Sequence, residues 1–160
     1  MAETDKLLTE GLCQGYAGKS IVTQVERSGF SGKSTDLVVD GGHYHDEWFA
    51  NDNGGGQELV VIDGDMAVRV YGGGVIPIAE LQEIGLTTKD VISKLIFSVS
   101  ELKEKTRLHT PCSLKIDDDW DYEYKILSQP EEVPLTIGYE AIRYRGREVF
   151  VHGHIISPVK

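Results

Sequence analysis

Apolar positions along the chain fall into two registers. Near the start, Leu8, Leu12 and Tyr16 recur every fourth residue with Leu7 beside them, the spacing of one face of a helix. Thr4 is the expected N-cap, Asp5 falls in the first turn, and the helix should end near Gly15 or Gly18. Gly11, inside this segment, weakens a helix by about 1 kcal/mol relative to Ala, so the segment must lean on a core to persist. A clearer stripe runs through Val91, Leu95, Val99 and Leu102 and is widened by Ile92 and Ile96. Thr87 or Thr88 caps it, Asp90 sits in its first turn, Lys103 and Lys105 are expected in its last turn, and Pro111 lies beyond. The segment 78–84 (IAELQEI) adds a short helical piece.

Elsewhere the period is two. Leu37–Asp40, His43–Phe49, Leu59–Ile62, Asp65–Tyr71, Tyr122–Leu127, Tyr139–Tyr144 and Glu148–Ile156 read as strands. Asp63-Gly64 is the strongest hairpin signal, because both residues tolerate the positive φ of a two-residue turn. Arg145-Gly146 marks another turn, and Pro130 and Pro134 place a loop. Residues 19–36 read as a strand followed by a flexible loop (SGFSGKST). NDNGGGQ reads as a glycine-rich loop, and Gly72-Gly73-Gly74 as the end of a hairpin. The order of elements predicts a single α+β domain over residues 1–160: a largely antiparallel, curved sheet packed by one long helix and one or two short ones.

At 160 residues, with 40% hydrophobic and 26% charged positions, such a domain needs no disulfide or metal to fold. The net charge of −10 is uneven: residues 1–80 carry 5 basic and 13 acidic side chains. That surface repels phosphate backbones and anionic lipid, so neither nucleic acid nor membrane is an expected partner. No apolar run approaches the roughly 20 residues needed to span a bilayer. MAETDKLLTE has no apolar core of a secretory signal, and Cys13 and Cys112 are isolated thiols. The expected location is cytoplasmic.

Two His-x-His segments stand out as candidate chemistry, His43-Tyr44-His45 and His152-Gly153-His154. Residues i and i+2 share a face of a strand, so each pair can present two imidazoles together. Four imidazoles, or two with Glu47, would hold zinc or another first-row ion if the strands were neighbours. The cupin pattern, with a Glu four or five residues after the His pair in a glycine frame, is not met. Asp117–Asp121 alternates carboxylates like a calcium loop, lacks its glycine, and reads as an acidic turn. The two triple-glycine runs match neither a dinucleotide fingerprint nor a P-loop. Arg143, Arg145 and Arg147 form the dense basic cluster, suited to an anionic ligand, an acidic partner or surface carboxylates. Cys112 follows His109 by three residues, a spacing that fits a buried thiol as well as a catalytic one. Aromatic residues gather on the strands, where they can wall a pocket or pack beneath a helix.

Several short blocks occur together: Leu8, Glu10, Tyr16, Ala17 and Gly18; Gly42–Trp48; Gly55, Gly56, Glu58 and Val60; Asp63 to Gly73; and Gly138 to Gly153. In this combination the chain resembles an uncharacterised prokaryotic domain family of unknown function, whose members occur alone or appended to helix-turn-helix regulators. The resemblance implies a compact stand-alone domain and supplies no activity, cofactor or catalytic residue. The leading expectation is a non-catalytic module that binds a small molecule or a protein partner through Tyr44, Trp48, Tyr71, Arg143 and His152, and needs no cofactor. The alternative is an enzyme whose divalent metal sits on His43, His45, Glu47, His152 and His154 and activates water. A homodimer built through an exposed edge strand is a third expectation.

Overall fold

The structure, a computed structural model, describes every residue except Tyr16 and Lys19, so the place foreseen for Tyr16 on the first helix lies outside the described residues. Helix α1 (Glu3–Gln14) is followed by the strands β1 (Thr23–Arg27), β2 (Phe30–Val39), β3 (Gly42–Ala50), β4 (Asn53–Ile62) and β5 (Asp65–Val75). Helices α2 (Ile78–Glu83) and α3 (Thr88–Leu102) come next, then a 3₁₀ turn at Lys103–Lys105. The strands β6 (Cys112–Lys115), β7 (Trp120–Ser128), β8 (Thr136–Tyr144) and β9 (Arg147–Val159) complete the chain. Among the described residues the nine strands form one antiparallel sheet in the order β1-β2-β3-β4-β5-β9-β8-β7-β6. It is two meanders joined where β5 meets β9, with Tyr71 opposite His154 and Gly73 opposite His152.

Asp63 and Gly64 connect β4 and β5 with φ of 50° and 90°, and Arg145-Gly146 does the same between β8 and β9 with 51° and 79°. Ser28-Gly29 makes a third such turn, at 50° and 85°. SGFSGKST is therefore no flexible loop: it holds the β1–β2 turn and the first residues of β2, exposed at Phe30, Ser31 and Lys33 and buried at Ser34 and Thr35. The glycine runs are also strand. Gly54 pairs with Gly73 and Gly55 with Gly72, because antiparallel neighbours satisfy backbone groups whether or not a side chain is present. Gly73 and Gly74 adopt φ of 142° and 149°, open to glycine and leaving that part of the sheet bare.

The helices share one face of the sheet. Residue Glu3 opens α1, one position ahead of the expected Thr4 cap, with the Ala2 amide donating to Asp5 Oδ2 at 3.3 Å. A Cβ placed on Gly11 would lie 2.2 Å from the Tyr44 ring; the glycine that weakens the helix lets it settle onto β3. Gly11→Ala should therefore destabilise the protein by about 1–3 kcal/mol through overpacking, despite alanine's better helix propensity. Urea unfolding checks this; a stabilised variant would mean that α1 rides higher.

Thr87 caps α3 as expected: its amide donates to Asp90 Oδ2 at 2.8 Å and its hydroxyl accepts from the Asp90 amide at 3.3 Å. Lys103, at φ 48°, ends the α-helix. It and Lys105 thus lie in the 3₁₀ turn rather than in the last turn of α3.

Helix α1 lies over β2–β5, and α3 over β7 and β8. The core is accordingly in two parts: Leu7 and Leu8 of α1 packed on Tyr44, Val60 and Ile156, and Val91, Leu95 and Val99 of α3 packed with Tyr122, Ile142 and Phe150. The opposite face carries exposed Leu59, Val61, Val70 and Ile155 on its central strands. No helix among the described residues is long and apolar enough to cross a membrane.

Candidate functional site

Alternation along the strands turns an unusual set of side chains toward the helices. Glu58 faces Arg69 across β4 and β5, and Asp46 faces Glu58 across β3 and β4. All three are almost fully buried. Arg69 donates to both Glu58 oxygens, and its Nη1 donates to the Arg107 carbonyl at 2.9 Å. The Tyr44 hydroxyl donates to Glu58 Oε1 at 2.9 Å.

Arg107 follows the 3₁₀ turn in the left-handed region, φ 56°. A residue with a side chain is held there only by surroundings that over-determine it. Its Nε and Nη2 donate to the two oxygens of Glu140 on β8 at 2.7 and 2.8 Å. The Tyr122 hydroxyl donates to the same carboxylate at 2.7 Å and is itself bonded to the Thr106 hydroxyl. Two arginines and two glutamates thus neutralise each other. Burial opposes ionisation of Glu140, but the Arg107 guanidinium and the neighbouring His154 outweigh it and hold the carboxyl well below its ordinary range. Arg69 does the same for Glu58 against that residue's burial.

Beside this network a cleft of about 80 Å³ opens between the two helices, room for several waters or a small organic molecule. Leu12 of α1 and Ile92 of α3 form its sides, and Trp48, Tyr71 and Phe150 its aromatic walls. The bare backbone of Gly54, Gly55, Gly73 and Gly74 forms part of its lining, and Asp46, Asn51, Asp52, Arg107 and His152 bring polar groups to it. Asp46 accepts from the Tyr71 hydroxyl at 2.9 Å. Gly56 is what lets Tyr71 reach across: a Cβ there would stand 2.5 Å from that hydroxyl. Burial, and then the charge of Glu58, push the Asp46 carboxyl up to about 8. Burial drives His152 down to about 3, against the pull of Glu140, and lowers His154 as well. Both imidazoles are therefore neutral near pH 7, and each leaves Nδ1 without a hydrogen-bond partner among the described residues.

Of the expected ligand residues, Trp48, Tyr71 and His152 line this cleft together. Tyr44 does not. It lies beneath α1, fully buried, with its hydroxyl spent on Glu58. Arg143 is on the opposite face of the sheet, one residue out of phase with Glu140 and Ile142, and pairs with Glu123 and Glu148 at 2.8 and 2.9 Å.

The five-residue metal set is also divided. His43, His45 and Glu47 occupy the outer face of β3, where both imidazoles bond Asp36 Oδ1 at 2.9 Å. His152 and His154 occupy the inner face of β9, with β4 and β5 between. The four histidines cannot share an ion through a pleated sheet. A different trio does converge: Glu140, His152 and His154 bring ligand atoms within 4.8 Å of one another, though both Glu140 oxygens already accept from Arg107. Near Cys112, burial raises the thiol pKa, and His109 is engaged by Thr136 at 2.7 Å and Asp5 at 3.2 Å, so the two make no thiolate–imidazolium pair.

Sequence reasoning passed over Asp46, Glu58, Arg69, Arg107 and Glu140. Four of them carried a signal: a charged residue standing at i±2 from apolar or aromatic ones, as in Tyr44-x-Asp46-x-Trp48, Ala67-x-Arg69-x-Tyr71, Glu58-x-Val60 and Glu140-x-Ile142. A charge on the buried phase of a strand is expensive unless paired, and it marks a site more sharply than a histidine does. Arg107 comes from irregular chain and has no such signal. Comparison with models of protein families, with curated proteins and with solved structures finds no match.

Proposed function

We propose that the protein is a binding module that takes a small organic molecule into the cleft between α1 and α3 without needing a cofactor. The observation that carries this reading is the cleft itself: the two helices cover separate halves of the sheet and leave between them a hollow with three aromatic walls and convergent polar groups. The aromatic rings supply apolar contact, while His152, Asn51 and Asp46 orient polar atoms. The uncharacterised family that the chain resembles is consistent with such a role, as a free domain rather than one attached to a regulator. Thermal unfolding over a metabolite panel tests the reading. A ligand at 100 times its dissociation constant adds about 2.7 kcal/mol of stability, and Trp48→Ala or His152→Ala should abolish the shift that such a compound gives. Variants that keep the full shift would place the binding elsewhere.

A second reading rests on the trio Glu140, His152 and His154. Neutral imidazoles beside a carboxylate are the donors of a His₂Glu zinc centre, and His152, at the edge of the cleft, would leave one coordination position open to a substrate. The metal would supply an activated water. Elemental analysis of protein purified without a histidine tag tests it: about one zinc, iron or manganese per chain, lost in His154→Ala, supports a metal centre, and less than about 0.1 per chain rejects it.

A further inference from the structure

We propose that the cleft takes a small organic ammonium ion, with Asp46 as its counter-charge and Trp48, Tyr71 and Phe150 as the walls around its cationic end. This rests on the reading of the cleft as a binding site and adds the class of ligand.

Arg69 is held by Glu58 and Arg107 by Glu140, each through two hydrogen bonds, so those four side chains sum to zero. Asp46 is the carboxyl left over. It is 2% exposed, it borders the cleft, and the one hydrogen bond it makes among the described residues is from a neutral hydroxyl, Tyr71. Among the described residues the groups that face it are Glu58 from β4, Arg69 and Tyr71 from β5, and Arg107 from the chain after α3. Both cations there are already engaged, and the nearest charge in register is a second carboxylate. Without a ligand, Asp46 is neutral because it keeps its own proton, which is what burial beside Glu58 enforces. A cation delivered from the cleft can replace that proton, whereas an anion finds no unengaged cation among the described residues there, because Arg69 and Arg107 are already held by Glu58 and Glu140.

The walls fit the same ligand. Trp48, Tyr71 and Phe150 all line the cavity, and aromatic faces attract a desolvated ammonium group through their quadrupoles. Asn51 and Asp52, at the turn from β3 to β4, stand at the same opening and can accept from further N–H groups. The net charge of −10 favours the approach of a cation over that of an anion.

The full chain is titrated with benzylammonium and tetramethylammonium, and in parallel with the neutral benzyl alcohol and the anionic benzoate, following tryptophan fluorescence and the melting temperature. Both ammonium ions should bind at least tenfold more tightly than benzyl alcohol, with benzoate weakest. Asp46→Asn should cut ammonium affinity tenfold or more, and by a much larger factor than it changes the affinity for benzyl alcohol. The comparison of probes on the unmodified protein stands without the variant. If benzyl alcohol or benzoate binds as tightly as benzylammonium and competes with it, the cleft is a binding site and the cationic specificity is wrong. If ammonium binding is unchanged in Asp46→Asn, the assignment of the counter-charge fails. If none of the four probes binds, this inference and the reading beneath it both fall.

Discussion

Replacing Arg107 by methionine should destabilise the protein by about 3–5 kcal/mol, the usual penalty for removing one partner of a buried ion pair. A domain of this size has about 5–15 kcal/mol in hand, so the loss is visible as a large drop in the urea midpoint. The penalty comes less from the missing contact than from what stays behind. Glu140 is fully buried, and without the guanidinium its oxygens keep, among the described residues, only the Tyr122 hydroxyl and the more distant imidazoles of His152 and His154. The double variant Arg107→Met, Glu140→Gln should therefore be more stable than the single one. A carboxamide is neutral, still accepts from Tyr122, and no longer needs a cation. If the double variant is as unstable as Arg107→Met or worse, the uncompensated charge is not the source, and the backbone strain at φ 56° and the lost packing become the better explanation.

The strands, the Asp-Gly turn and the α3 stripe were legible because each rests on a local rule: alternation, a pair of residues that accept positive φ, a 3.6-residue period with a Thr cap. The glycine runs were misread for a physical reason. Glycine lowers the propensity of an isolated segment, and it cannot announce that another glycine strand lies beside it. Gly54 and Gly73 are strand because they pair with each other across a hairpin, and that pairing is fixed by Asp63-Gly64, nine residues from each.

The site was half legible for the same kind of reason. Trp48, Tyr71 and His152 were recognisable as candidates by residue type, and they meet because β5 pairs with β9, a contact between residues about 80 positions apart. No local pattern encodes that contact. Nor does one say which face of β3 looks inward: His43 and His45 carry the chemistry that catches the eye, yet Tyr44 and Asp46 occupy the buried phase. A shift of one residue exchanges the two sets, and only the helix seated on Tyr44 through Gly11 decides between them.

Asp46→Asn should stabilise the protein increasingly as pH rises from about 4 to about 8, by up to about 1.4 kcal/mol per pH unit. In the unfolded chain this aspartate ionises near its ordinary value of 3.8, whereas in the folded protein it holds its proton to about 8. Between those values the folded state binds the extra proton, so the stability that Asp46 contributes is complete below the unfolded pKa and is lost as pH rises through the folded one. The two buried histidines act in the opposite sense. Burial lowers His152 to about 3 and also lowers His154. Each therefore binds its proton more readily when unfolded, and stability falls as pH drops below about 6.5, the unfolded value.

From pH 4 to 6.5 the single Asp46 slope opposes those of the two histidines, which outweigh it, so the stability of the unmodified protein should rise with pH there. Above 6.5 the histidines are neutral in both states and the slope from Asp46 remains, so stability should decline toward pH 8. Subtracting the profile of Asp46→Asn isolates that slope, and urea midpoints at half-unit steps from pH 5 to 8.5 are sufficient to measure it. A difference that stays flat over this range would mean that Asp46 is ionised when buried and already has a cation beside it; the same observation would remove the charge deficit from which the ammonium specificity was inferred.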